Sequence, residues 1–429
     1  MGDGSAVVAW LAMPGFRVLE VDSSAPDVVV RVETTVDRLA CPGCGALARS
    51  KGRRWVTVRD LPWGERPVTL RWWKRLGECV EPACAVVTWT EQRPEFLLAG
   101  HVLTLRACRW AAARVAAVEA TPASLARQLG VSWSTIWSAV LCHGLVDESR
   151  SAVDVGFDET VMSPARHGRW RRFITAAVDL GSGRIIDVFD GRAAGDLQGW
   201  LAGQPEEWVA SIDTVCTDLH SSYRSALRRS TLTATTMVVD PFHVVRAAND
   251  AVTKCRARVQ RGVNGHRGRK NDPLYTARTL LLIGAERLDQ RGWERFGQAL
   301  DAGDPDGELL DVWAGKELVR DIYLTDNPNE AAQRFERALA WCSDDDAPRE
   351  LATIALMLRK WRTEILAHHT TGVSNGRVEA ANLTIKQVKR SGRGFRNLDN
   401  YRHRILLASH QPRHAPQVTR HRARPRPIA

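Results

Sequence analysis

Apolar residues alternate with polar residues in five stretches of the middle of the chain, and this period of two predicts β-strands. The first three stretches follow one another closely across glycine-containing turns, which is typical of an antiparallel meander. The last two alternate with helical segments at residues 194–202 and 221–227. The five predicted strands cover residues 152–160, 172–180, 183–190, 209–218 and 234–240.

The chain order of these elements, β-β-β-α-β-α-β, matches the start of an RNase-H-like α/β fold. In that arrangement the first strand lies beside the fourth. Asp158 falls on the first strand and Asp218 at the end of the fourth, so that their carboxylates can bridge divalent cations. Glu159, Asp213 and Asp240 are alternative candidates for metal ligands. Of these, Asp213 is expected to be buried in the middle of its strand and Asp240 to lie next to the site.

From residue 244 to about residue 368 the apolar positions recur at helical spacing, which predicts a large all-helical insertion. Breakers at residues 303–307 and 344–348 divide it. The predicted helical runs are 274–288, 293–300, 310–319, 330–342 and 351–366. Between Lys254 and Asn271 there are seven basic residues and no acid. A solvated surface and a DNA contact both remain open for this basic segment.

A helical hairpin is predicted upstream of the strands, at residues 122–137. Gly130 supplies the turn and Ser132 can cap the second helix. The pattern favours a helix-turn-helix in which Ser132, Ser134 and Thr135 lead a recognition helix into the major groove. Any short helical hairpin has a similar pattern, and that alternative remains open.

Four of the nine cysteines form two close pairs, Cys41 with Cys44 and Cys79 with Cys84, on either side of strand-like sequence. Such spacing allows four thiolates to bind one Zn²⁺ tetrahedrally, and a closed shell of this kind is structural because it leaves no position for a substrate. Four buried free cysteines are the alternative. The sequence therefore predicts an N-terminal zinc ribbon.

Composition bounds the class of protein. The chain has 429 residues, of which 44% are hydrophobic and 25% are charged, so we expect two to four domains and exclude a disordered chain or a disulfide scaffold. Lys and Arg number 60 against 49 acids, for a net charge of +11, which favours a nucleic acid partner. The last 54 residues carry all of this excess. The start lacks a basic secretory region and no apolar run reaches membrane-spanning length, which predicts a cytoplasmic protein without a membrane partner.

Near Gly376 a further helix is predicted, and its polar residues share one face. Glu379 stands in line with one amide and three cations, at helical spacing of i, i+3, i+7 and i+10/11. The residues in line with Glu379 are Asn382, Lys386, Lys389 and Arg390. A lone acid among cations suits a metal ligand beside phosphate contacts, and a solvated polar stripe is the alternative.

Together these motifs resemble bacterial insertion-sequence transposases of the DDE type, specifically the ISL-three family, over nearly the whole chain. The motifs are the cysteine ribbon, the helix-turn-helix, Gly156-Phe157-Asp158-Glu159, Thr217-Asp218 with Tyr223, Asp240-Pro241-Phe242-His243, and Ser374 to Glu379 with Asn382, Lys386, Lys389 and Arg390. The family often has arginine where this chain has Pro241.

The resemblance implies a catalytic triad of Asp158, Asp218 and Glu379 that holds two Mg²⁺ ions, or Mn²⁺, and a structural Zn²⁺ on the four cysteines. Asn382, Lys386, Lys389 and Arg390 would then contact DNA. It further implies hydrolysis and strand transfer on double-stranded DNA, at terminal inverted repeats and at a target, by a homodimer or larger assembly associated with the bacterial nucleoid. Two alternatives remain: a domesticated DNA-binding regulator without catalysis, and a structure-selective RNase-H-like nuclease.

The predicted fold is therefore multidomain α+β. Its parts are a zinc-binding domain (1–95), a helix-turn-helix domain (96–150), the first part of an RNase-H-like catalytic domain (151–245), the helical insertion (246–370), the last helix of the catalytic domain (371–410) and a basic extended tail (411–429).

Overall fold

A computed structural model describes residues 13–146, 149–164, 170–229, 232 and 235–410. The chain divides into two compact units. Unit 1 comprises Met1–Asp147, Gln387–Gly394 and Asp399–Ala429, and unit 2 comprises Glu148–Lys386 and Phe395–Leu398. The predicted basic tail, 411–429, lies outside the described residues. No helix in the described ranges is both long and apolar enough to cross a membrane.

Unit 1 contains a five-stranded sheet with the order β1-β2-β4-β3, in which β5 pairs with β4. Strands β2 and β4 are parallel and the other pairs are antiparallel. One face is apolar and buries Leu70 and Trp72 against Val30 and Val58. The strands are β1 Phe16–Asp22, β2 Val28–Thr34, β3 Arg49–Trp63, β4 Arg66–Glu78 and β5 Thr88–Thr90.

Three short helices follow in unit 1, and each begins at a hydroxyl side chain that accepts a backbone N–H. Gly130 ends the second helix with a φ of 63°, a left-handed conformation that favours glycine. The C-terminal helix α14 adds Leu407 to the core of this bundle, whereas the sequence predicts its residues as part of the catalytic domain. The helices are α1 Leu105–Ala116, α2 Pro122–Leu129, α3 Trp133–His143 and α14 Leu398–Ser409.

Unit 2 contains a second sheet with the order β10-β9-β6-β7-β8. The first three strands along the chain form an antiparallel meander, as predicted, and the last two run parallel to β6. The strands are β6 Asp154–Ser163, β7 Arg172–Asp179, β8 Ile185–Asp190, β9 Thr214–Thr217 and β10 Thr236–Val239. The connecting helices are α4 Ala194–Ala202, α5 Glu206–Ala210 and α6 Ser221–Arg228.

The segment predicted to be helical is helical around an apolar core that includes Trp313, Phe335 and Leu358 and also buries Val239 of β10. Its helices are α7 Pro241–Asn264, α8 Pro273–Thr276, α9 Gln290–Gly303, α10 Glu308–Asp321, α11 Pro328–Cys342 and α12 Arg349–Thr371. The chain then continues into α13 Gly376–Ser391.

The prediction of one helix, at residues 274–288, is wrong. The structure has a single helical turn and two short 3₁₀ turns there. The cause is the buried Lys316 ammonium, which donates to the carbonyls of Leu281 at 3.0 Å and Ile283 at 3.1 Å. A regular α-helix would use those carbonyls within its own ladder, whereas a buried ammonium must find acceptors.

Candidate zinc and carboxylate sites

Four thiols converge in unit 1. The sulfur atoms of Cys41, Cys44, Cys79 and Cys84 all lie within 4.8 Å of one another. The Sγ atoms of Cys41 and Cys84 are 3.7 Å apart and those of Cys44 and Cys79 are 3.5 Å apart. Zn–S bonds of about 2.3 Å in a tetrahedron place sulfurs about 3.8 Å apart, so the donors fit this ion.

Local backbone geometry favours the thiolate form of Cys41 and the close approach of the two cysteine pairs. Burial opposes ionisation of Cys41, but the backbone N–H groups of Cys44 and Gly43, with the neighbouring thiols, lower the pKa of Cys41 to about 7. A Cβ at Gly43 would lie 2.9 Å from the Val86 side chain and 3.2 Å from the Cys84 sulfur. Glycine is therefore required there for the two halves of the site to approach.

In unit 2, glycine also governs how helix α13 packs on strand β6. A Cβ at Gly156 would lie 2.3 Å from Val378 and 2.8 Å from Asn375, far inside contact distance. Asp158 follows Gly156 by two residues and therefore lies on the same face of the sheet. The close packing brings Asn382 of the helix to Asp158, where its Nδ2 donates to Oδ2 at 2.6 Å.

The two predicted aspartates are brought together by strand pairing. Strands β6 and β9 are parallel with Gly156 beside Cys216, and the same register two residues further on puts Asp158 beside Asp218. Glu159 joins them, and one carboxylate oxygen from each of the three acids lies within 4.8 Å of the others. Three half-buried carboxylates this close repel one another unless protons or cations intervene.

The protonation of both aspartates reflects this crowding. Burial raises the pKa of Asp158, and the charge of Glu159 raises it further. Burial and then the charges of Glu159 and Asp158 raise the pKa of Asp218 to about 7, partly offset by His243. Raised pKa values among converging acids are typical of functional sites.

Glu159 is fixed by a buried tyrosine. The hydroxyl of Tyr223 donates to Glu159 Oε2 at 3.2 Å and lies 3.2 Å from the Thr175 hydroxyl. Burial, followed by the charge of Glu159, raises the pKa of Tyr223, so the phenol stays protonated as a donor. Arg192 approaches the other Glu159 oxygen at 3.8 Å.

Comparison with known proteins decides the family. Residues 155–405 match the ISL3 DDE transposase family, which is described as transposase, and residues 37–84 match the zinc-finger of transposase IS204/IS1001/IS1096/IS1165. The chain belongs to the ISL3 family of DDE transposases. The transposase is 25% identical to the transposase for insertion sequence element IS1001 of Bordetella parapertussis, over 95% of both chains. It is also 25% identical to the transposase for insertion sequence element IS1557 of Mycobacterium tuberculosis (strain CDC 1551 / Oshkosh), over 83% of this chain and 82% of that one.

The third acid of the predicted triad lies apart from the other two in the transposase. Glu379 is exposed on α13 and is not among the acids that cluster with Asp158 and Asp218. Asn382, one turn later, is buried on Asp158 instead of being displayed to solvent. Lys386 and Arg390 are exposed and Lys389 is half-buried on the following turns.

The residues predicted to lead the recognition helix begin helix α3. Ser132 caps it, accepting from the backbone N–H of Thr135 at 3.1 Å. Its hydroxyl also lies 2.8 Å from the hydroxyls of Ser134 and Thr135. Ser132 and Ser134 are exposed and Thr135 is half-buried.

The oxygen atoms of the carboxylate site fit a divalent cation. Asp218 Oδ1 and Asn382 Oδ1 are both buried and have no hydrogen-bond partner. Buried acceptors without a donor are costly, and a hard cation that takes oxygen ligands would satisfy them. Sequence reasoning did not single out Asn382 for this place, because its contact with Asp158 joins positions 224 residues apart.

Proposed function

We propose that this transposase cleaves the ends of its insertion sequence and joins them to target DNA through a divalent cation held by the carboxylate site of unit 2. The observation that carries the proposal is the convergence of Asp158, Glu159 and Asp218 within 4.8 Å, with unpartnered buried oxygens on Asp218 and Asn382. The strand order β10-β9-β6-β7-β8, with three antiparallel strands followed by two parallel ones, supports an RNase-H-like fold.

The proposed metal ligands are Asp158 and Asp218, completed by Glu379 as the third acid of the triad. Glu379 lies one turn before Asn382 on α13, so it projects from nearly the same side of the helix as the residue that contacts Asp158. Repulsion from three nearby carboxylates disfavours its approach in the absence of a cation. Mg²⁺ or Mn²⁺ suits these oxygen donors, and a pair of such ions would bind Asp158, Asp218 and Glu379 together.

A divalent cation in this place would stabilise charge on the attacking and leaving oxygens of the phosphodiester. Neighbouring side chains hold the carboxylates in position. Asn382 holds one oxygen of Asp158 by donating to it, and Tyr223 holds Glu159 in the same way. We propose water as the nucleophile for end cleavage and the freed 3′-hydroxyl for joining, which requires no covalent protein intermediate.

DNA recognition is proposed for the helix-turn-helix of unit 1 and for the cations of α13. Helices α2 and α3 are joined across Gly130, and the exposed Ser132 and Ser134 stand at the start of α3, where a recognition helix meets base edges. Lys386 and Arg390 are exposed and suit phosphate contacts. The proposed DNA partners are the terminal inverted repeats and the target duplex, bound by a homodimer or larger assembly at the bacterial nucleoid in the cytoplasm.

The test is incubation of the purified protein with labelled element-end DNA, with and without Mg²⁺ or Mn²⁺. We expect cation-dependent strand cleavage that Asp158→Asn, Asp218→Asn and Glu379→Gln abolish while binding of the ends persists. Asp213→Asn is the matched control, because Asp213 is not the buried mid-strand acid that the sequence predicts but an exposed acid just before strand β9. Cleavage that survives Asp218→Asn, or that needs no cation, would refute the proposed site.

A Glu159→Gln variant distinguishes the role of Glu159 from that of Glu379. If Glu379 is the third metal ligand, Glu379→Gln is inactive at every cation concentration, whereas Glu159→Gln regains cleavage as the Mg²⁺ concentration rises. The reverse pattern would assign the ligand role to Glu159.

A further inference from the structure

Two tryptophans stand side by side on the outer face of the sheet in unit 1. Trp55 of β3 and Trp73 of β4 are directly opposite each other in the antiparallel register. Their rings stack with centroids 5.1 Å apart and planes inclined by 19°. Each is 38% exposed. Two adjacent indoles on a solvent-facing surface form a contiguous aromatic patch, which is a feature of interaction sites.

An arginine flanks the tryptophan pair on each side. The guanidinium of Arg53 lies 5.2 Å from the Trp73 ring centroid, and that of Arg71 lies 5.3 Å from the Trp55 centroid. The four side chains therefore form one row, Arg53–Trp73–Trp55–Arg71, which we term the Arg-Trp ladder. Each guanidinium lies within cation–π distance of its ring.

The ladder is separate from the core of unit 1. Trp72, the neighbour of Trp73, points to the opposite face, where it is fully buried and contacts Phe16 and Phe96. The Lys74 ammonium covers the Trp72 ring at 4.1 Å. The core is therefore complete without Trp55 and Trp73, and packing of this sheet's apolar face does not account for them.

The charge around the ladder is positive. Arg53 forms an ion pair with Glu33, but among the residues described by the structure no carboxylate pairs with Arg71. On the neighbouring strands Arg17 shares Glu33, and Arg31 pairs with Glu20. These four arginines thus face two glutamates, which leaves excess positive charge beside the aromatic pair and suits an anionic ligand that also carries flat rings.

We propose that the Arg-Trp ladder binds unpaired nucleotides of DNA. The proposal rests on the proposed function only in choosing DNA as the polymer. Base stacking on exposed aromatic side chains, combined with basic groups along the backbone, is the usual basis of single-strand binding. A base stacks on the outer face of Trp55 or Trp73 in place of the guanidinium, which turns to the adjacent phosphate as a charged donor. Duplex DNA keeps its base faces covered and does not offer them to the ladder.

The test uses the full chain in magnesium-free buffer without chelator, so that zinc stays bound and no DNA is cut. Fluorescence anisotropy measures binding of a labelled oligodeoxythymidine of about 12 nucleotides, and of a duplex of the same length. We expect a Trp55→Ala/Trp73→Ala double variant to bind the single strand at least about tenfold more weakly, since each base–aromatic stack contributes about fivefold or more. Duplex binding should change by less than about twofold.

Three controls keep the result specific. Trp170→Ala removes an exposed tryptophan of unit 2 and should leave both affinities unchanged. Trp55→Phe/Trp73→Phe retains flat rings and should retain most single-strand binding, and Arg71→Gln should weaken it and reduce its salt dependence. Zinc content and circular dichroism establish that each variant is folded.

The possible outcomes separate this proposal from the proposed function. Unchanged single-strand binding in the double alanine variant overturns the ladder proposal, as does an equal loss for single strand and duplex. If that variant still cuts element ends, the proposed cleavage mechanism holds although the ladder proposal fails. If wild-type protein binds single strands through the ladder but cuts no element end, the ladder stands and the cleavage proposal fails.

Discussion

Replacing Asp218 by asparagine should stabilise the metal-free transposase while abolishing its activity. The crowded carboxylate site is the reason. Asp218 is half-buried beside Asp158 and Glu159, and its pKa rises from the ordinary value of 3.8 to about 7. A difference of this size corresponds to about 4 kcal/mol between the two protonation states. Asparagine has the same shape without the charge.

The sign of the pH dependence follows from the direction of the pKa. The folded state holds the Asp218 proton more tightly than the unfolded chain, so stability is lost as the pH rises from about 4 through about 7. At pH 8 the wild-type protein bears the full cost and the variant bears none. We expect Asp218→Asn to unfold at higher urea concentration at pH 8, with a gain of about 2–4 kcal/mol, and the gain should fall to about half of that value at pH 5.5.

The assay is urea denaturation between pH 5.5 and 8.5 in magnesium-free buffer. Chelators and more acidic buffers are avoided because they release zinc from thiolates. Hydrogen exchange of the β6 and β9 amides reports on unit 2 separately, since two units need not unfold together. Asp213→Asn is the control and should show no gain. Mg²⁺ should stabilise wild type and not Asp218→Asn. A gain that is equal at all pH values, or a loss at pH 8, would refute the reasoning.

Three further changes test the sites. Gly156→Ala places a Cβ 2.3 Å from the Val378 side chain and should cost about 1–3 kcal/mol in urea denaturation and reduce cleavage, whereas Gly199→Ala, in open space, should not. Cys44→Ser should lower bound zinc, measured by metal analysis, and expose the N-terminal sheet to proteolysis, while Cys142→Ser retains the metal. Tyr223→Phe removes the donor to Glu159 and should cost about 1 kcal/mol in unfolding free energy; no change would show that this hydrogen bond is dispensable.

The three meander strands of unit 2 were predictable because their signals are local, whereas the fourth predicted strand, 209–218, is a strand only over Thr214–Thr217. An alternating pattern needs only neighbouring residues, and glycine-containing turns separate the three meander strands. The helical pattern at 274–288 failed because its backbone carbonyls accept hydrogen bonds from a buried lysine that lies 33 and 35 positions further along the chain. Alternation along β4 separates its two tryptophans, because Trp72 shares a face with Leu70 and Trp73 shares the other face with Arg71. The local pattern does not give the partner strand, and only the register of β3 and β4 places Trp55 opposite Trp73.

The carboxylate site illustrates the same limit at the level of single residues. The element order predicts that the first and fourth strands are neighbours, which identified Asp158 on the first strand and Asp218 at the end of the fourth. The residue of α13 that contacts Asp158 could not be predicted in this way. Helical spacing places Glu379, Asn382 and Lys386 on one side of the helix, but it does not indicate which of them reaches the sheet. The ranking comes from Gly156, whose missing side chain lets the helix approach at that point.

Net charge is a poor guide to where this transposase meets DNA. The whole excess of +11 falls in the last 54 residues. The ladder lies in the remaining part of the chain, residues 1–375, whose charges sum to zero. Acids elsewhere in the chain cancel the ladder's arginines in the sum. Glu33 and Glu20 pair with arginines on that face, but among the described residues no carboxylate pairs with Arg71. The field at a surface depends on such nearby pairs, because exposed charges separated by more than about 8 Å are largely screened at physiological salt. Binding through the ladder should therefore respond to Arg71→Gln far more than to neutralising a distant lysine of equal exposure.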